Sequence, residues 1–129
     1  ANAPAPGKRP LSAMSPTLVF DARHHFLLGV GSPGGPAIID YVAQTLVAML
    51  DGGLRPQAAV ALPHYLNLNG YTLLEQSPGS EALGKALTAM GHDVRAVKGE
   101  NSGLQVVERV KGDYIGGADP RRDGVALGD

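Results

Sequence analysis

Gly29-Val30-Gly31-Ser32-Pro33-Gly34-Gly35-Pro36 is the junction from which the chain can be read in both directions. Behind it lie two β-rich runs, Thr17 to Asp21 and His25 to Val30, separated by Ala22-Arg23-His24. That pattern predicts an antiparallel hairpin. Ahead of it, Pro36 suits the first position of a helix, where a missing N–H costs no hydrogen bond. Ile38, Ile39, Val42, Leu46, Met49 and Leu50 then fall on one helical stripe. Gly52-Gly53 ends the stripe as a left-handed cap would.

Further along, Pro56 to Leu62 predicts a short helix that stops before Pro63, and Tyr71 to Glu75 predicts a strand. Ser77-Pro78 reads as an N-cap followed by proline, opening a helix that ends at Gly91 with Leu83, Leu87 and Met90 as its buried face. Asp93 to Val97 is a strand. Leu104 to Val110 and Tyr114 to Gly116 form a second hairpin around Lys111-Gly112. Ala1 to Gly7 is an extended arm or linker, and residues 8–129 make one domain. Strands in hairpin-joined blocks predict an α+β fold with a mainly antiparallel sheet and flanking helices, not a doubly wound parallel sheet.

The composition sets limits on function. Of 129 residues, 43% are hydrophobic and 18% charged, a globular balance. Eleven basic and twelve acidic residues are mixed along the chain, so no electrostatic surface for nucleic acid is implied. No apolar run approaches the ~20 residues of a membrane span, and the first ten residues lack the apolar core of a signal peptide. Without cysteine, disulfides, thiolate metal sites and a cysteine nucleophile are excluded.

The glycine loop carries most of the chemical information, and spacing alone leaves four readings open. The glycines can simply permit a tight strand-to-helix turn. Gly29-x-Gly31-x-x-Gly34, with Asp51 downstream, matches the letter of a dinucleotide fingerprint, but a hairpin precedes it and a second helix follows before any strand. A serine-hydrolase elbow at Ser32 would need glycine where Val30 stands and a backbone N–H where Pro33 has none. Finally, the adjacent amides of Gly34 and Gly35 at a helix start can form an oxyanion hole.

A second stretch bears on that choice. Lys8-Arg9-Pro10-Leu11-Ser12-Ala13-Met14-Ser15-Pro16-Thr17 resembles the K-R-P-L-S-S-M-S-P-T segment of gamma-glutamyltransferases. That family also has a G-S-P-G-G loop at about this distance, here Gly31 to Gly35, and a D-P-R near its C-terminus, here Asp119-Pro120-Arg121. The resemblance covers essentially the whole chain. It implies part of the αββα sandwich of N-terminal-nucleophile hydrolases, and cleavage of a gamma-glutamyl amide with transfer of the acyl group to water or an amino acid. It implies Gly34 and Gly35 as the oxyanion hole, and Ser12 as one of two serines that bind the substrate α-carboxylate. No metal and no cofactor is called for. The expected partners are the remainder of the same enzyme and a gamma-glutamyl substrate, with no nucleic acid and no membrane span in this chain. The expected compartment is periplasmic or secreted.

Two departures from the family stand out. The nucleophilic threonine, freed by autoproteolysis, belongs well upstream of Lys8, and none of Thr17, Thr45, Thr72 or Thr88 can replace it. The chain is therefore expected to be a piece of the enzyme, inactive alone. The second serine of the carboxylate-binding pair is Ala13, so one donor is missing. An acylase of altered specificity, or a non-catalytic relative, are the alternatives. Outside the family reading, His24 and His25 belong to a hairpin turn, and His64 and His92 read as caps or surface groups. Arg121 and Arg122 read as loop anchors, and Asp119 as a turn former.

Overall fold

The computed structural model describes residues 3–9, 12–99 and 101–128. Ala1 and Asn2 of the expected arm, and Pro10 and Leu11 of the expected motif, lie outside the described residues. Strands β1 (Thr17–Phe20) and β2 (Phe26–Gly31) form the first hairpin, with Thr17 opposite Val30. Its turn is organised by Asp21, whose Oδ1 accepts 2.8 Å bonds from the N–H groups of Arg23 and His25. β6 (Gln105–Val110) pairs with β2, and β7 (Asp113–Ala118) pairs with β6. Lys111 and Gly112 both take positive φ, 53° and 102°, as a two-residue hairpin turn requires. The result is a four-stranded antiparallel sheet in the order β1-β2-β6-β7.

A smaller sheet holds β3 (Tyr65–Asn67), β4 (Thr72–Glu75) and β5 (Val94–Val97). β3 and β4 are antiparallel, whereas β4 and β5 are parallel. Helix α3 (Ser80–Ala89) makes the crossover between the parallel pair. α3 approaches closely at Gly84, where a methyl group would lie 3.2 Å from Leu74 Cδ2.

Helices α1 (Ile38–Leu50) and α2 (Pro56–Val60) cover one face of the four-stranded sheet. Alternation along the strands supplies that face with Leu28, Val30 and Val106, which join Ile38, Tyr41, Val42, Val60 and Leu104 in the core. α2 is seated tightly: a methyl on Gly117 would lie 2.6 Å from the Pro56 carbonyl carbon. Gln57 completes the seat. Its carboxamide donates to Ala118 O at 3.0 Å and accepts from Ala118 N at 3.1 Å, as a neighbouring strand would.

The mixed α+β architecture with a mainly antiparallel sheet is as expected, but several details differ. α1's stripe includes Tyr41 and Thr45, while Ile39 and Leu50 are more than half exposed. The covered arc is centred one position away from the most apolar letters. α3 opens at Ser80 after Gly79, which carries φ 88°, so Ser77-Pro78 lies in a turn before the helix. Met90 is 76% exposed because α3 ends at Ala89, whereas Leu83 and Leu87 of the expected face are partly buried. β3 and the parallel pairing of β5 are additional.

The other face of the four-stranded sheet carries Leu18, Phe20, Leu27, Val107 and Tyr114, all substantially exposed. No helix among the described residues is long and apolar enough to cross a membrane.

Candidate functional site

The glycine loop leaves β2 at Gly31 and enters a single 3₁₀ turn, Gly35–Ala37, before α1. Gly34 adopts φ 138° and Gly35 φ 59°, both in the region that favours glycine. The two positions differ sterically. A methyl on Gly34 would lie 2.6 Å from Tyr41 Cε2, whereas the space around Gly35 is open. Ile38 N donates to Gly35 O, which starts the helical ladder. Among the described residues, no backbone bond of a loop or helix end is donated by the amides of Gly34 or Gly35.

Ser32 is committed to the loop itself. Its hydroxyl donates to Pro33 O at 2.7 Å and accepts from Gly103 N at 3.2 Å. The segment 101–104 therefore lies against the glycine loop, and a methyl on Gly103 would lie 2.8 Å from Pro33 Cγ. Arg122 holds this segment from outside, donating from Nε to Ser102 O and from Nη2 to both oxygens of Asn101.

Beneath the loop runs a buried polar chain. His64 Nε2 is 2.9 Å from Ser102 Oγ, and Ser102 Oγ donates to Asp119 Oδ2 at 2.5 Å. Leu104 N also donates to that oxygen. Asp119 Oδ1 accepts from the backbone N–H and the Nη1 of Arg121, both at 3.0 Å. Arg121 forks onto both oxygens of Glu75 and donates to Val60 O and Leu62 O. Glu75 Oε2 returns to His64 N at 2.9 Å. The sequence reading of Asp119 as a turn former and Arg121 as an anchor describes part of this. His64 does sit at an element end, immediately before β3, but it is no cap or surface group, since it is 2% exposed with its ring against Tyr41.

Histidine, serine and aspartate in contact invite comparison with a hydrolytic triad. The order is wrong for one: the hydroxyl sits between the imidazole and the carboxylate and gives its proton to the carboxylate. Ser102 and Asp119 are both fully buried, so no substrate carbonyl can reach Ser102.

The electrostatics agree with a structural tie. Burial, aided by the Arg121 charge, pushes His64 down to about 4. With Nε2–H donated to Ser102, Nδ1 has no partner among the described residues, so a second ring proton would be buried unpaired. Burial would raise Glu75 and Asp119. Arg121 and the His64 N–H outweigh it at Glu75, and Ser102, Arg121 and the Leu104 N–H outweigh it at Asp119, so both stay below the usual carboxylate range.

A pH dependence follows. His64 titrates near 6.5 when unfolded and at about 4 when folded, so the unfolded chain binds more protons between those values. Stability should therefore fall as pH drops from about 6.5 to about 4, by roughly 3 kcal/mol from this group. Glu75 and Asp119 add losses at lower pH still, as it falls through their depressed values. Thermal midpoints of the complete enzyme should decline across this window, and less steeply in His64→Gln. Equal slopes in the two proteins would refute the assignment.

Ser12 is exposed, and its hydroxyl accepts a 3.4 Å bond from Met14 N. Ala13 is half-buried, and its carbonyl accepts from Ser15 Oγ at 3.0 Å. With Thr17 opposite Val30, the segment 12–16 and the loop 31–35 leave the hairpin at the same end. Those bonds of Ser12 and Ala13 are local, to Met14 and Ser15. Sequence reasoning missed His64, Ser102 and Glu75, which have no shared spacing.

A family profile described as Gamma-glutamyltranspeptidase matches residues 1–129. The chain is 36% identical over 131 residues to a glutathione hydrolase proenzyme of Bacillus subtilis, covering 99% of this chain and 22% of that protein. It is 37% identical over 123 residues to the glutathione hydrolase proenzyme of Escherichia coli, covering 94% and 21%. The chain thus spans about a fifth of these relatives. Among solved structures, a gamma-glutamyltranspeptidase from Pseudomonas nitroreducens complexed with L-DON superposes with a TM-score of 0.82 at 28% identity, covering 99% of this chain and 68% of that one.

Proposed function

The chain belongs to the gamma-glutamyltranspeptidase family, and from that premise we propose that it is the part of a glutathione hydrolase that supplies the oxyanion loop and one wall of the acyl pocket. The observation that carries this is the Gly34–Gly35 pair: two consecutive positive-φ glycines at a helix start, whose amides donate to no loop or cap backbone carbonyl among the described residues. Their amides stabilise the alkoxide formed when a threonine hydroxyl attacks the gamma-glutamyl carbonyl. That threonine comes from outside these 129 residues, with its own α-amino group as base. Attack expels the amine and leaves an acyl-enzyme, which water or an amino acid then cleaves. Ser12 donates to the substrate α-carboxylate. The apolar face of the four-stranded sheet is covered by the remainder of the enzyme. The family resemblance supports a periplasmic or secreted compartment.

Ala13 favours a second reading. Where the family motif has two hydroxyls this chain has one, which weakens the grip on an α-carboxylate by up to ~1.5–3 kcal/mol. Such a pocket accepts acyl groups that lack the carboxylate.

One comparison tests both. The complete precursor should release nitroaniline from gamma-glutamyl nitroanilide, and the 129-residue chain alone should release none. Turnover by the chain alone would overturn the proposal. A complete enzyme that preferred the 4-aminobutyryl anilide, which lacks the α-carboxylate, would favour the second reading.

A further inference from the structure

We propose that Tyr41, His64 and Ser102 are positioning residues that hold the amides of Gly34 and Gly35 in register for the oxyanion. This rests on the reading of those glycines as the oxyanion donors. An oxyanion hole works because its donors are fixed before the charge appears, within about 0.5 Å of their productive places. Glycine gives the backbone freedom to reach an unusual conformation but does nothing to keep it there. Something else has to hold the loop.

The loop has a floor and a wall. The floor is the ring of Tyr41, which is 1% exposed and so close to Gly34 that a methyl there would collide with it. The wall is the segment 101–104, where Gly103 N donates to Ser32 Oγ and the Asn101 carbonyl lies 3.5 Å from the same Gly34 methyl position. Floor and wall are joined below the loop. The Tyr41 ring packs on His64 with centroids 4.5 Å apart, and His64 Nε2 binds Ser102, the residue before Gly103. His64 is in turn fixed through its own backbone, with N–H on Glu75 Oε2 and C=O accepting from Glu75 N at 2.8 Å. Asp119 fixes Ser102 from the far side. The two sides of the loop therefore cannot move independently. Packing of a core would not by itself demand a ring against Gly34 or a hydrogen bond from the wall to Ser32.

The test uses the complete, processed enzyme, with kcat expressed per active site from the burst of nitroaniline in the first turnover. Tyr41→Leu and Ser102→Ala should each lower kcat by ~10-fold or more while KM changes by less than ~3-fold, because misplaced donors act on the transition state. A merely structural role would reduce the yield of active sites and leave kcat per site intact. Wild-type kcat per site in Tyr41→Leu would overturn the proposal. If that variant does not fold, wild-type kcat in Ser102→Ala would overturn it instead. Gly35→Val separates the two levels of inference. Normal turnover there removes the oxyanion reading itself. Slow turnover there, with Tyr41→Leu and Ser102→Ala both unimpaired, leaves the glycines as donors and refutes the positioning.

Discussion

Gly34→Ala in the complete enzyme is expected to lower kcat by ~10²-fold or more, with a smaller change in KM. Two independent strains converge on this position. Its φ of 138° lies where side chains are rarely tolerated, and the added methyl would stand 2.6 Å from a ring carbon of Tyr41. Tyr41 is buried, so the backbone must retreat rather than the ring. Retreat carries the Gly34 amide away from the oxyanion. The oxyanion exists only after attack, so the loss falls on the transition state. Gly35 provides the contrast. Its φ is 59° and nothing crowds a methyl, so Gly35→Ala should cost far less than Gly34→Ala. Steady-state kinetics on the pair would check the ranking, and equal losses would argue that sterics at Tyr41 do not govern the loop.

The second large effect is on stability. Arg121→Ala should destabilise the fold by ~3–5 kcal/mol, because it strands partners that cannot reach water. Asp119 is fully buried and Glu75 nearly so, and the guanidinium also serves the carbonyls of Val60 and Leu62. Lysine should not rescue it, since a point charge cannot fork onto Glu75 and reach Asp119 and two carbonyls together. Chemical denaturation of the complete enzyme would measure this. A loss under ~1 kcal/mol, the scale of an exposed ion pair, would show that water reaches the site.

Both hairpins and α1 were legible because each has its own local signal: β-rich runs in the strands, Lys111-Gly112 at the second turn, and a stripe that ends at Gly52-Gly53. β3 was not, because Tyr65-Leu66-Asn67 has only one inward residue, Leu66, and no alternation to detect. Met90 leaves the buried face because the helical ladder stops at Ala89, one residue short of it, which the apolar stripe does not reveal. The glycine loop was legible as a strand-to-helix junction because its glycines are nearly consecutive, and it does lead from β2 into α1; the roles proposed for it and for Ser12 come from the family motif. His64, Ser102 and Glu75 were not. A lone histidine has no spacing, and the pairs His64–Ser102 and Glu75–Arg121 span 38 and 46 positions. Only the folded chain brings them together.

The pairing of β2 with β6 also sets an order of events in time. Gly31 and Gln105 face each other across the ladder though they are 74 positions apart. While a ribosome is still making the middle of the chain, β2 can pair only with β1, and its other edge has no partner. Closing a loop of that length costs on the order of 4 kcal/mol in chain entropy before any ladder bond repays it. Repayment comes late, when β6 and β7 emerge and Asp119 drops into place behind them. Until then an apolar edge waits, the kind of surface that chaperones hold and that aggregates form on.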